Sequence, residues 1–349
     1  MTAYLYTFLC ALAISLVATP LMRALALKIN AVDHPDTRKV HSHPIPYLGG
    51  LAIYLAFVIS ALSAYGLFLG IQSHPSLWAL LVACLIVVVL GLYDDLKGSS
   101  AWIKFFAQTV ASLIVIYAGI RIEVINIPLF DQIELGIWAW PVTCLWLVGL
   151  CNAVNLIDGL DGLAAGVCMF AILSIFSSSI RWGGGEVALL CSALVGSLLG
   201  FLRYNFHPAR IFMGDTGALL LGFLLGVISI LSASKSTSGV AILIPITAMG
   251  IPILDTIAAI FRRLRKHRRI FLADRDHLHH RLLHIGLSHR QAVILIYLAS
   301  LYLGTISFAM TFLPSHPRSI IFGILLVSGI LILRRWSRLY KASVDDKGP

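Results

Sequence analysis

Apolar residues recur along this chain in runs about as long as a bilayer is thick, with polar residues gathered in the short gaps between them. The runs cover residues 3–27, 47–69, 76–93, 102–119, 138–154, 163–181, 186–203, 217–233, 239–261, 291–313 and 318–335. A membrane-spanning helix needs about 20 predominantly apolar residues. Backbone facing lipid must satisfy its own hydrogen bonds, so each run predicts a helix. The pattern gives an all-α integral membrane protein of about eleven transmembrane helices. It reads as one domain over 1–335 and a short polar tail over 336–349. Only the segment RIEVINIPLFDQIEL alternates apolar and polar positions, which predicts a small hairpin between the fourth and fifth spans. The first run carries its charges after the apolar stretch rather than before it, the reverse of a signal peptide, and is expected to stay as span 1.

Composition agrees. Hydrophobic residues make up 59% of the chain, charged residues 12%, and mean hydropathy is +0.91. Soluble domains carry about 25% charged residues. The six cysteines (Cys10, Cys84, Cys144, Cys151, Cys168, Cys191) lie in or beside apolar runs without a CxxC pair, so they read as reduced small hydrophobes. Nothing points to nucleic acid as a partner.

The placement of the charges sets an orientation. If the loop after span 1 is cytoplasmic, only Arg121, Arg181, Lys235 and Arg318 of the 26 Lys and Arg residues fall outside. That asymmetry is a positive-inside signal. It places the N-terminus outside, the C-terminus in the cytoplasm and the carboxylate-rich loops on the cytoplasmic face.

Six aspartates stand at the cytoplasmic ends of these runs: Asp94, Asp95, Asp158, Asp161, Asp215 and Asp255. An ionised group beside hydrocarbon is costly unless paired, wetted or functional. Asp94 and Asp95 in GLYDDLKG repel each other unless a cation neutralises them, and hard oxygen donors suit Mg²⁺ or Mn²⁺. A solvated turn is the plainer reading. Asn152, Asn155, Asp158 and Asp161 recur every third residue in NAVNLIDGLDGLAAG, which predicts a polar stripe down one helix face. Asp215 in FMGDTGA stands where a helix starts, as an N-cap or beside amides able to hold an anion. The stretch from Arg262 to Arg269 suits anionic lipid headgroups. His277, His279, His280 and Arg281 can donate to phosphate oxygens. Zinc is less suited there, since no cysteine lies near. Asp255 is placed to pair with Arg262 or Arg263. Lys39, with Arg38, His41 and His43, adds positive charge to the first loop, where Pro44, Pro46, Gly49 and Gly50 shape a rigid turn.

The segments DHPDTRKVHSHPIPYLGGLAIY, GLYDDLKG, NAVNLIDGLDGLAAG, FHPARIFMGDTGALLLG, PILDT and DHLHHRLLHIGLSHRQAV together resemble the cytoplasmic motifs of the polyprenyl-phosphate N-acetylhexosamine-1-phosphate transferases, the glycosyltransferase 4 family, in order and spacing over about residues 33–293. The resemblance implies ten or eleven spans, Mg²⁺, and transfer of a sugar 1-phosphate from a UDP-sugar to undecaprenyl phosphate with release of UMP. It implies Asp94 as base toward the lipid phosphate with Asp95 beside it, and Asp215 as a metal ligand with Asp95. Asp158 and Asp161 match paired acids proposed as nucleophiles in that family, and Asn155 lies beside them. The histidines match a motif placed near the donor sugar and pyrophosphate, and Lys39 and Arg281 join the substrate contacts. Gly98 stands where some relatives have Asp or Asn. HLHH followed by Arg281 departs from the HHH of the phospho-MurNAc-pentapeptide branch and points to the WecA/TagO-like branch, with UDP-GlcNAc as donor and O-antigen or wall-polymer initiation as the role.

The expected reaction is a single displacement at the β-phosphorus of the donor, with a two-step route through an aspartyl adduct as the alternative. Other UDP-HexNAc donors (FucNAc, QuiNAc, GalNAc) keep the chemistry. An ion-coupled transporter would need acids near the bilayer midplane and internal symmetry. The partners expected are undecaprenyl phosphate, a UDP-sugar and membrane lipids, with a homodimer left open.

Overall fold

The computed structural model describes residues 1–33, 44–70, 75–126, 132–234, 243–265 and 277–313, together with 317, 320–325, 327–329 and 331. Lys39, with the rest of 34–43, and the basic stretch 266–276 lie outside the described residues. The apolar runs fold as helices: α1 (Thr2–Lys28), α2 (Gly49–Phe68), α3 (Pro75–Lys97), α4 (Ala101–Tyr117), α5 (Ala139–Ile157), α6 (Leu163–Arg181), α7 (Gly185–Asn205), α8 (Gly214–Ser234), α9 (Leu243–Ala248), α10 (Gly250–Arg265), α11 (Leu278–His284) and α12 (His289–Met310). Among the described residues, eight of these helices, α5 together with the short turn before it, are long and apolar enough to cross a membrane. The protein is an all-α, multi-pass membrane protein.

Three runs depart from a plain span. The run 102–119 becomes α4, 17 residues long, about 26 Å at 1.5 Å per residue, just short of the hydrocarbon core. The run 239–261 is not one helix. It divides at Met249–Gly250 into α9 and α10. Pro245 and Pro252 each lack an N–H and suit the first turn of a new helix rather than the middle of a long one. Of the run 318–335, residues 320–325, 327–329 and 331 are described, and these are helical.

Burial grades across the bundle. In α8, 89% of the span is buried inside the protein, against 28% in α1, so α8 is the central post and α1 faces lipid along much of its length. α3, α5, α2 and α6 pack around α8, and α7 fills the gap between α1 and α6. The alternating segment forms the expected hairpin. β3 (Val124–Asn126) pairs antiparallel with β4 (Gln132–Glu134), with Ile125 opposite Ile133.

A second short ladder, β1 (Val32–Asp33) against β2 (Ile45–Pro46), closes the first loop. The chain then zips onto the approach to α8. Phe212 N donates to Pro46 O (2.8 Å), Gly49 N to Phe212 O (3.0 Å) and Gly50 N to Met213 O (2.9 Å). Gly50 and Gly91 let α2 and α3 touch the backbone of the first turn of α8, where an added Cβ would strike Thr216 or Gly217. The start of α8 is therefore held from two sides.

Candidate active site

Five of the six aspartates meet at one end of the bundle. Asp94, Asp95, Asp158, Asp161 and Asp215 line a pocket of about 870 Å³ together with Asn155, His207, His280 and His289. Arg23 and Arg210 also line it. That volume lies in the range of small-ligand sites, about 300–1,000 Å³. The acids converge at one end of the bundle, unlike the midplane arrangement expected of a transporter.

Asp94 and Asp95 are successive residues near the end of α3, about 100° apart around its axis, and they have different surroundings. Asp94 accepts from Ser99 Oγ (2.5 Å) and pairs with Lys104 Nζ (2.5 Å). The same ammonium lies 2.5 Å from Asp215 Oδ2. Lys104, in the first turn of α4, thus bridges two carboxylates from two other helices. Asn155 at the end of α5 also approaches Asp215. Asp95 instead faces the N-terminus of α8. Its Oδ1 accepts from Asp215 N (2.7 Å), and its Oδ2 from Thr216 N (3.1 Å) and Thr216 Oγ1 (2.6 Å). A carboxylate at the positive end of a helix is well placed. Gly214, at φ +68°, makes room for it, since a Cβ there would fall on the Asp95 carboxylate.

The Asn/Asp stripe is one continuous helix face only up to Ile157. Asn152 donates to Gln108 Oε1 (3.0 Å) and Asn155 reaches the pocket. Asp158 then ends α5 as its C-cap, and the chain turns through Gly159–Gly162. Helical spacing ends at Asp158, so the last two acids reach the pocket from the C-cap and the turn that follows it. Burial, reinforced by the charges of Asp215, Asp95 and Asp161, pushes the Asp158 carboxyl up to about 8. Asp161 Oδ2 lies 2.7 Å from His207 Nδ1 and accepts from Ala209 N (3.0 Å). His207 stacks on His289, ring centroids 4.1 Å apart.

Of the histidine segment, His280 lines the pocket. His277, His279 and Arg281 are buried behind it. His279 packs on Gly159, and burial beside His280 and His277 pushes it down to about 3, leaving a neutral ring. Asp255 pairs with His277, Oδ2 to Nδ1 2.9 Å.

The residues that sequence reasoning did not single out are Lys104, Thr216, His207 and His289. Lys104 entered only as one more inside charge. Its position one turn into an apolar run, ten residues past Asp94, was the available signal. Gly98 also has a physical explanation. It ends α3 at φ +72°, with its N–H on Asp94 O (2.8 Å), in a left-handed conformation that Gly adopts freely and Asn or Asp tolerate.

Gly159 gives a first expected result. An added methyl would meet the His279 ring, and overpacking of this kind costs about 1–3 kcal/mol. Gly159→Ala should therefore lower the thermal midpoint of the purified protein. An unchanged midpoint would show that His279 is free to move.

A membrane-embedded bundle with carboxylates and a bridging lysine at one end is the architecture of an enzyme handling anionic substrates at a bilayer surface. Residues 77–233 match the profile of Glycosyl transferase family 4. The chain is 43% identical to the "Probable undecaprenyl-phosphate N-acetylglucosaminyl 1-phosphate transferase" of Bacillus subtilis, over 83% of this chain and 80% of that one. It is 37% identical to the decaprenyl-phosphate N-acetylglucosaminephosphotransferase of Mycolicibacterium smegmatis (90% of this chain, 84% of that one). It is 30% identical to the undecaprenyl-phosphate alpha-N-acetylglucosaminyl 1-phosphate transferase of Yersinia pestis (96% and 92%). The chain belongs to glycosyl transferase family 4.

Proposed function

We propose that this enzyme transfers GlcNAc-1-phosphate from UDP-GlcNAc to undecaprenyl phosphate, forming undecaprenyl-diphospho-GlcNAc and UMP, as the initiating step of a cell-envelope polysaccharide such as O-antigen. The site faces the cytoplasm in a bacterial inner membrane, the side that the Lys and Arg asymmetry assigns to these loops. The observation that carries the reading is the pair Asp94 and Asp215, brought from separate helices onto one cationic centre at Lys104. The named relatives supply the sugar and the lipid.

The donor set fits Mg²⁺ or Mn²⁺. It consists of carboxylate oxygens with Asn155 beside them and no thiol, the hard ligands such ions take. Asp94 Oδ2 and Asp215 Oδ2 already lie within reach of a single cation, since Lys104 Nζ contacts both. Asp215 with Asp94 would hold the ion, with Asp95 behind Asp215, its oxygens accepting from the start of α8. When bound, the ion neutralises charge on the donor pyrophosphate and the departing UMP.

The chain's own groups do the rest. Asp94 accepts the proton of, or orients, the acceptor phosphate, whose oxygen attacks the sugar-bearing β-phosphorus. The bond from that phosphorus to the bridging oxygen breaks, and UMP leaves with the electron pair. Lys104 keeps positive charge beside the reacting phosphates. Phosphoryl transfer depends mainly on such positioning and charge neutralisation.

The test is UMP release by purified protein given undecaprenyl phosphate, Mg²⁺ and a panel of UDP-sugars. Release with UDP-GlcNAc that needs both lipid and metal is expected. Release only with another UDP-HexNAc would overturn the donor, and silence with folded protein would overturn the reaction. Lys104→Met should lower the rate about a hundredfold, the usual effect of removing one electrostatic stabiliser. A rate within threefold of wild type would remove Lys104 from the mechanism.

A further inference from the structure

The histidine segment has no cap of its own. α11 is seven residues long, and its N-cap, His277, makes no side-chain cap. A short helix of this kind depends on outside partners for its first N–H groups. The partner here is Asp255 of α10, 22 residues earlier. Its Oδ1 accepts from Leu278 N (3.1 Å), and its Oδ2 lies 2.9 Å from His277 Nδ1. Both side chains of that pair are 5% exposed. A carboxylate offers only acceptors, so Nδ1 of His277 carries the proton and Nε2 points away from Asp255.

The column continues toward the pocket. His277 and His279 lie nearly parallel, 4° apart with centroids 6.0 Å apart, and the His279 ring is 4.2 Å from that of His280. His279 rests on Gly159, in the turn that carries Asp158 and Asp161 into the pocket, and His280 forms part of the pocket wall. Asp255 does not line the pocket itself.

We propose that Asp255 is a positioning residue. It caps α11, fixes the tautomer of His277, and through His279 and Gly159 sets where His280, Asp158 and Asp161 stand. The catalytic part of this inference rests on the transferase reading above; the cap does not.

Two variants and two measurements separate these parts, all on the full-length protein in detergent or nanodiscs. Asp255→Ala removes cap and tautomer control together. Hydrogen exchange across residues 278–284 should accelerate at least about tenfold, with α8 unchanged, because a buried charge-assisted hydrogen bond is lost. Exchange equal to wild type would overturn the proposal whatever the activity. Asp255→Asn keeps an acceptor for Leu278 N but must donate to His277 Nδ1, which reverses the tautomer. It should keep wild-type exchange yet lower kcat/KM for UDP-GlcNAc about tenfold, the scale of losses when a residue orienting a functional histidine is removed. A merely capping role predicts full rescue of activity by Asn, and that result would overturn the positioning claim. If wild-type protein turned over no UDP-sugar, the transferase reading would fail, while the exchange data would still decide the cap.

Discussion

Asp215→Asn should reduce UMP release by roughly a thousandfold at saturating UDP-GlcNAc and undecaprenyl phosphate, in protein that folds and reconstitutes normally. The substitution keeps the size of the side chain and leaves its backbone N–H free to donate to Asp95 Oδ1, so the start of α8 has no reason to shift. What changes is charge. Asp215 Oδ2 is one of two carboxylate oxygens on Lys104 Nζ, and it also faces Asn155. An amide there removes one negative charge and one hard donor from the centre where a divalent ion and the pyrophosphate would meet. The dependence of residual activity on Mg²⁺ should flatten in the same variant, measured by titrating the metal after chelation. Wild-type turnover with unchanged Mg²⁺ dependence would move the metal and the reaction away from α8.

The expected loss rests on a geometry that was only partly legible in the chain. Period and length of the apolar runs gave the helices, because a span has no choice about satisfying its own backbone. The identities of the pocket acids were also readable, since a carboxylate beside hydrocarbon needs a reason. What local patterning could not carry was the cross-helix partner. Lys104 counted only as one more inside charge until α4 placed it between Asp94 of α3 and Asp215 of α8. The break at Met249–Gly250 lay hidden in a uniformly apolar run, where hydropathy does not report a change of direction. His277 and His279 read as ligand-facing imidazoles, yet both are buried, and of the three histidines at 277, 279 and 280 it is His280 that lines the pocket.

One construction recurs around the pocket and explains why these partners are long-range. Among the described residues, three helix starts are capped by side chains from elsewhere. Asp95 of α3 serves α8, and Asp255 of α10 serves α11. Asn205 at the end of α7 accepts from Gly162 N (3.0 Å) at the start of α6 and donates to Ile211 O (2.9 Å). A cap within its own helix leaves a local sequence signature, as Ser288 and Gln291 do for α12. A cap from another helix leaves none, but it ties two helices together across a long stretch of sequence.

That construction separates the two adjacent aspartates. Asp95→Ala should destabilise the protein by about 3 kcal/mol or more, because it strips partners from the second and third amides of the most buried helix and from the Thr216 hydroxyl. Asp95→Asn should fall between, since its carbonyl oxygen can accept at one corner while its amide opposes the N–H groups at the other. Asp94→Ala should do the reverse. Its partners, Ser99 and Lys104, are themselves partly exposed, so the protein should stay folded while turnover collapses. Thermal unfolding in detergent with an assay of UMP release on the same preparations distinguishes them. A stable Asp95→Ala protein would show that α8 holds its start without a cap and would return Asp95 to the chemistry alone. A midpoint several degrees lower, recovered in part by Asn, would show that one carboxylate of the pair builds the site in which the other acts.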